Sequence, residues 1–368
     1  MHDASETERR SNAGARDIVL IGTSAGGVQA LQVLLGGLPA DLGAAVFVVL
    51  HVPEGVESRL PAVLRRASAL PVDTAREGEQ VRPGRVLVAP SGAHLLLRED
   101  RVQVRRGPKE NGVRPSVDVL FRSAAMTYGA RVLSVVLTGL LDDGAAGSKE
   151  VLRRGGIALA QEPASAEYPS MPRNALAAHP DVHAIALADL ASMIGKVVAE
   201  PAGPAGAGSA DVDPDDDADI RLVQEMAVSA AEPARAPLTL PGDPSLYNCA
   251  DCNGVLQEAS SESIPDRWRC RVGHGWSGMA LVQAKAEQVE AALWAAVHLL
   301  EERALLCERL AERAAAGGRT RNAGQLCRRA DEASRQVELV RGMVIPALSP
   351  AEDAESSALE ESAVSRNA

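Results

Sequence analysis

Apolar positions follow two rhythms along the first half of this chain. Between residues 17 and 198, short uninterrupted apolar runs alternate with stretches whose apolar positions recur every three or four residues. The runs at 17–22, 45–50, 85–89, 95–97, 102–104, 132–137 and 156–160 read as strands. Helical spacing covers 28–38, 58–68, 117–128 and 145–154. Apolar strands with helices between them predict an α/β domain, a doubly wound, mostly parallel sheet buried on both faces.

The pattern changes at residue 199. Residues 199–246 are rich in Pro, Gly and Ala and carry six aspartates between 211 and 219, which predicts an acidic, solvated linker with one short helix at 220–231. Residues 247–276 form a compact Cys/His segment. In 277–346 helical spacing returns: Val289, Leu293, Ala296, Leu300, Ala304, Cys307, Ala311 and Ala314 form one seam, and Leu326, Ala330, Ala333, Val337, Val340 and Val344 a second. Gly317-Gly318 separates the two and Pro346 ends the second, so an antiparallel helical hairpin is predicted. Cys307 and Cys327 lie equidistant from that turn and read as small buried hydrophobes. The polar ends, 1–16 and 347–368, are expected to be disordered.

Composition narrows the function. Forty-nine acidic against thirty-eight basic residues give a net charge of −11, which disfavours general nucleic-acid binding. Aromatics are only 2% of the chain, so the core must be built from Ala, Val and Leu. Five cysteines, an odd number, do not make a disulfide scaffold. No apolar run is long enough to span a bilayer, and residues 1–16 lack an apolar signal region, so a cytoplasmic protein without membrane insertion is expected.

The chemistry concentrates at predicted strand ends. Gly22-Thr23-Ser24-Ala25-Gly26 fits a nucleophile-elbow pattern between the first strand and the first helix. Small neighbours allow the sharp turn, and the N–H groups of Gly26, Gly27 and the helix N-terminus offer donors to an oxyanion. A dinucleotide loop competes, but Ser24 occupies the second glycine position and the second strand ends in His51 rather than an acid. His51 follows that strand directly, and Asp142 and Asp143 lie just beyond the strand at 132–137. Parallel strands bring such residues to one rim, as a nucleophile, a base and an orienting carboxylate require. The residue pattern alone leaves Asp142 and Asp143 both open.

Five segments carry a resemblance: Ile21 through Gly27, Leu50-His51-Val52-Pro53, Arg114 through Phe121, Leu137-Thr138-Gly139 with Asp143-Gly144-Ala145-Ala146-Gly147, and Ser170-Met171-Pro172-Arg173. In this order they resemble the catalytic domain of CheB-type chemotaxis protein-glutamate methylesterases over about residues 17–198. The resemblance implies Ser24 as nucleophile, His51 as base and Asp143 as its orienter. It implies oxyanion donors at Ala25, Gly26 and Gly27 and in the loop at Leu140. The implied substrates are methylated glutamates of methyl-accepting chemotaxis receptors, with methanol released, no catalytic cofactor, and glutamine deamidation in some relatives. His94, also family-like, is read as structural. Two departures stand out. Only about 16 residues precede the first strand, so no receiver domain is expected, and Leu140-Leu141-Asp142 is bulkier than the family's usual Met-Gly-Asn.

Cys249-x2-Cys252 and Cys270-x3-His274 supply three thiolates and one imidazole on turns marked by Asn253-Gly254 and Gly273. Four N/S ligands suit a structural zinc; a redox Cys-x-x-Cys is the competing reading, but no βαβ pattern surrounds it. Residues 255–258 and 267–269 read as hairpin strands between the ligand pairs. The helical hairpin offers a surface for other signalling proteins. Two functions therefore compete: a serine esterase acting on receptor glutamates, and a non-catalytic scaffold with an esterase-like domain.

Overall fold

The computed structural model describes residues 16–55, 58–202, 217–230, 243–258 and 267–344. The expected disordered ends and most of the acidic linker lie outside these residues. The chain divides into two compact units, residues 1–281 and 282–368.

The first unit is built on a seven-stranded parallel sheet. Its strands are β1 (Ile18–Thr23), β2 (Ala45–Leu50), β3 (Val72–Thr74), β4 (Arg85–Val88), β7 (Val132–Val136), β8 (Ile157–Gln161) and β9 (His183–Ile185). They run in the order β3-β4-β2-β1-β7-β8-β9. The predicted strands at 95–97 and 102–104 are instead a separate antiparallel hairpin, β5 (His94–Arg98) and β6 (Arg101–Arg105). Short β3 and β9 gave no apolar run long enough to read.

The apolar strands are continuous because both faces are covered. One face (Val19, Ile21, Val46, Val48) packs under α1 (Gly27–Gly37), α2 (Leu60–Leu64) and α6 (Leu187–Ala199). The other (Ile18, Leu20, Phe47, Val49) packs under α3 (Val117–Tyr128), α4 (Ala145–Arg153) and α5 (Ser170–Ala178). Sequential strands run outward in one direction from β1 to β2 and in the other from β7, so the order reverses between β1 and β7. Open α/β sheets bind ligands beyond the strand ends at such a point.

Inside the expected linker, α7 (Asp217–Ala230) is not a solvated spacer. Its Leu222 and Met226 are buried in a cluster with Leu96 and Val119, and buried Asp219 pairs with Arg153 and Arg154. The Cys/His segment forms a four-stranded antiparallel sheet, β10 (Asp243–Asn248), β11 (Val255–Glu258), β12 (Arg267–Cys270) and β13 (Gly275–Ser277). This sheet lies in the same compact unit as the parallel sheet.

A buried charge cluster joins the pieces. Glu110, in the β6–α3 connection, meets Arg122 of α3 and Arg267 and Arg269 of β12, the last at 3.2 Å. Glu225 of α7 pairs with Arg122 at 3.0 Å and Arg267 at 3.5 Å. Burial pushes the Glu110 carboxyl up, but Arg122, Arg267 and Arg269 together hold it well below the ordinary carboxylate value.

In the second unit, α8 (Gly278–Ala316) continues from the first, and α9 (Thr320–Val344) follows a turn at Gly317-Gly318. Gly318 has φ 72 and closes the α8 C-terminus, its N–H bonding the Ala315 carbonyl at 2.9 Å. The predicted seams are largely observed, with Ala304, Cys307, Ala311, Ala314, Ala330, Ala333, Val337 and Val344 buried. Val289 departs from the expected seam and is exposed, and Cys327 is exposed where a buried hydrophobe was expected.

Removing Glu110 takes a buried carboxylate partner from Arg122, Arg267 and Arg269, leaving Glu225 to face the first two. Glu110→Ala is therefore expected to lower unfolding free energy by about 3–5 kcal/mol in urea titrations at neutral pH. Because the folded Glu110 value is depressed, the wild-type advantage over this variant is present above the ordinary carboxylate range and shrinks as pH falls through the folded value.

Candidate active site and metal cluster

In the β1–β2 register Thr23 pairs with Leu50, so Ser24 and His51 leave neighbouring strands side by side. The His51 N–H bonds the Thr23 carbonyl at 3.2 Å. Gly26 takes φ 72 and turns the chain from β1 into α1. Across the reversal point, the loop after β7 approaches closely: a Cβ on Gly139 would lie 2.9 Å from Ser24 Cβ and 2.2 Å from Met171 Sδ. Only a glycine allows that approach.

His51 donates from Nε2 to Asp143 Oδ2 at 2.7 Å. Asp143 is buried, and three further donors surround it. Val117 N–H reaches Oδ2 at 2.7 Å, while Ser116 Oγ and Asp118 N–H reach Oδ1 at 2.9 and 3.1 Å. Burial raises its carboxyl, but the His51 bond and charge and the two N–H groups outweigh that and hold it below its ordinary value. Asp142 does not take part; its Oδ1 accepts from Ser277 Oγ at 2.8 Å.

His94 stands behind this pair. Fully buried, it donates from Nε2 to the Pro108 carbonyl at 2.9 Å and accepts the Ser116 N–H at Nδ1, 3.2 Å. Burial lowers its pKa, and both ring nitrogens are occupied as a neutral imidazole requires. The residue pattern alone did not single out Ser116, although the quoted Arg114 through Phe121 segment contains it.

The N–H groups of Ala25, Gly26 and Leu140 have no acceptor among the described residues. Gly27 differs from expectation: its N–H is bonded to the Ser24 carbonyl at 3.0 Å. Leu141, at φ 63, holds a left-handed conformation that costs an L-residue about 1–2 kcal/mol. Ser24 Oγ makes no hydrogen bond among the described residues; such contacts commonly tighten only when substrate is bound. Beside His51 opens a cleft of about 320 Å³, lined by Pro53, Glu54, Lys109, Gly112 and Arg114.

Cys249, Cys252, Cys270 and His274 converge, with all four ligand atoms within 4.8 Å of one another. Cys249 Sγ and Cys270 Sγ lie 3.6 and 3.5 Å from His274 Nδ1, and Cys252 Sγ lies 3.6 Å from Cys270 Sγ. Those separations match the edges of a tetrahedron about zinc, roughly 3.5–3.8 Å for Zn–S near 2.3 Å and Zn–N near 2.1 Å. Trp276 Nε1 donates to Cys249 Sγ at 3.3 Å. Hydrogen bonds from Cys270, then His274 and Trp276, outweigh burial and hold the Cys249 thiol well below its ordinary value, while the same Cys249 contact and burial push the Cys270 thiol up. These residues fit a four-coordinate metal with no open position.

The doubly wound α/β domain thus brings Ser24, His51 and the buried Asp143 to the strand ends at its reversal point. The family described as CheB methylesterase matches residues 19–194 of this chain. It is 43% identical over 178 residues to the protein-glutamate methylesterase/protein-glutamine glutaminase 2 of Methanosarcina acetivorans, covering 46% of this chain and 50% of that protein. The similarly named protein of Anaeromyxobacter dehalogenans is 43% identical over 173 residues, 46% of this chain and 51% of its own. The chain thus spans about half the length of the curated relatives it matches. The crystal structure of the Thermotoga maritima CheB methylesterase catalytic domain aligns with a TM-score of 0.48 and 31% identity, over 50% of this chain and 98% of that one. Among the described residues no helix is long and apolar enough to cross a membrane.

Asp118 tests the electrostatics around Asp143. Its Oδ1 accepts the N–H groups of Gly144 and Gly147 at 3.0 and 2.6 Å, at the start of α4. Burial, then the Asp143 charge, push its carboxyl up to about 7. The folded chain therefore keeps a proton that the unfolded chain releases, and stability falls as pH rises from 3.8 to about 7. Asp118→Asn retains the acceptor and is expected to flatten that fall in urea midpoints across this range. Asp118→Ala loses both bonds and is expected to cost about 1–2 kcal/mol.

Proposed function

We propose that this protein is a cytoplasmic protein-glutamate methylesterase acting on the methylated glutamates of chemoreceptors. The observation that carries the reading is the His51–Asp143 hydrogen bond of 2.7 Å at the strand end beside Ser24. With Nε2–H given to Asp143, the lone pair on His51 Nδ1 is the base that takes the Ser24 proton. Ser24 Oγ attacks the ester carbonyl, and the N–H groups of Ala25, Gly26 and Leu140 receive the oxyanion. His51 returns the proton to the departing methoxide, giving methanol. Water, deprotonated by His51, then attacks the acyl carbonyl; the bond from Ser24 Oγ to the acyl carbon breaks, Oγ takes the proton back from His51, and the glutamate leaves. Asp143 orients the imidazole and stabilises its cationic form throughout. No step requires a cofactor. The same acyl transfer on a glutamine would expel ammonia, so deamidation is a second reaction open to the site. Lys109 on the cleft wall, beside an Arg114 already paired with Glu54 at 3.0 Å, suits an acidic receptor segment.

Zinc in the Cys249, Cys252, Cys270 and His274 cluster is the second part of the proposal. It is structural, since the ligand set leaves no position for substrate. The helical hairpin is the candidate surface for other signalling partners.

Methanol release from methylated receptor membranes tests the enzyme reading. Ser24→Ala is expected to lower the rate by about 10³-fold or more. Equal rates, or none from either protein, favour the scaffold reading instead. For the metal, elemental analysis of the purified chain is expected to give about one zinc per chain. Zinc-free protein with four freely titrating ligands would refute that part.

A further inference from the structure

The metal cluster and the catalytic aspartate are connected by a short run of directly bonded residues. His274 lies between Gly273 and Gly275. The Gly275 carbonyl accepts the Asn111 N–H at 2.8 Å, and the Gly275 N–H bonds the Lys109 carbonyl at 3.1 Å. One residue on, Trp276 ties back to Cys249. One further, Ser277 N–H donates to Asn111 Oδ1 at 2.8 Å, and Ser277 Oγ donates to Asp142 Oδ1 at 2.8 Å. Asp142 immediately precedes Asp143. Arg267 and Arg269 of β12 grip Glu110, between Lys109 and Asn111.

The gripped segment, residues 109–118, has two jobs at the site. Its first half supplies Lys109, Gly112, Val113 and Arg114 to the cleft beside His51. Its second half supplies the Ser116, Val117 and Asp118 donors to Asp143. Before α3 begins at Val117, this segment has only the two-bond Glu110–Val113 bridge of its own to fix it. Here β13 supplies one from outside, and the metal ligands fix β13.

We propose that the Cys/His sheet is a positioning element of the esterase: through Asn111, Glu110 and Ser277 it braces segment 109–118 and Asp142 behind Asp143, and metal at the four ligands holds the brace in register. Ser277 and Asn111 are thus positioning residues, acting through Asp142 and segment 109–118 rather than on substrate. The rate consequence rests on the esterase reading above; the brace itself does not.

The test uses the full chain. Zinc is stripped with a chelator and returned, while hydrogen exchange and methanol release are followed together. Stripping is expected to speed exchange at 109–118 by about tenfold or more while β1, β2 and β7 stay protected, and to slow methanol release by a similar factor. Both changes should reverse on adding zinc. Unchanged exchange at 109–118, or loss of protection throughout the parallel sheet, overturns a local brace. In the zinc-loaded protein, Ser277→Ala is expected to lower kcat by about tenfold at nearly constant KM, with Ser277→Thr restoring it. A wild-type kcat in Ser277→Ala overturns the proposal. If the wild type releases no methanol, the esterase reading fails alone, and exchange at 109–118 in zinc-loaded Ser277→Ala still decides the brace.

Discussion

One buried carboxylate organises the site. Asp143 accepts four hydrogen bonds, from His51, Ser116, Val117 and Asp118. Those donors come from the end of β2 and the start of α3, while Asp143 itself follows β7. An unpaired carboxylate in that place would carry a desolvation penalty of several kcal/mol, so the three elements are held to the separation at which all four donors reach it. The position of the His51 ring follows from that. So does the approach of the β7 loop to Ser24, which Gly139 makes sterically possible.

The second constraint is the cost of burying charge in the β6–α3 connection. Glu110 is as buried as any core leucine, and it is tolerable only because three guanidinium groups converge on it. Two of the three come from β12 of the Cys/His sheet. The parallel-sheet domain and the Cys/His sheet therefore share a charge cluster that neither satisfies alone. Buried ionic groups of this kind add little net stability over an apolar replacement, but they tolerate few alternative arrangements. The consequence is a fixed docking register, which places Ser277 against Asp142.

Much of this was legible in the sequence. β2 and α3 coincide with the apolar run 45–50 and the helical stretch 117–128, because burial on both faces or along one stripe leaves an unambiguous period. Ser24, His51 and Asp143 were legible because parallel strands deliver their ends to one rim. The short edge strands β3 and β9 were not, since three residues carry no period. Nor was α7 as a packed helix: its acidic flank reads as solvated spacer, and its burial depends on distant partners such as Arg153 and Arg154, which pair with Asp219.

The sequence by itself determined the parallel α/β domain, the placing of Ser24, His51 and the Asp142–Asp143 pair at strand ends, and the Cys/His cluster of Cys249, Cys252, Cys270 and His274. Each of these depends on local period, on strand-end position or on close spacing along the chain. The tertiary structure decided what the residue pattern alone left open: Asp143, as the resemblance implied, and not Asp142 meets His51. It alone decided that Gly27 has no free N–H, and that the Cys/His sheet docks against the segment supporting Asp143. Those outcomes depend on partners far apart in sequence, such as Glu110 with Arg267 and Asp142 with Ser277. No local pattern encodes such pairs, because the requirement they meet, a partner for every buried charge, exists only once the chain has closed around them.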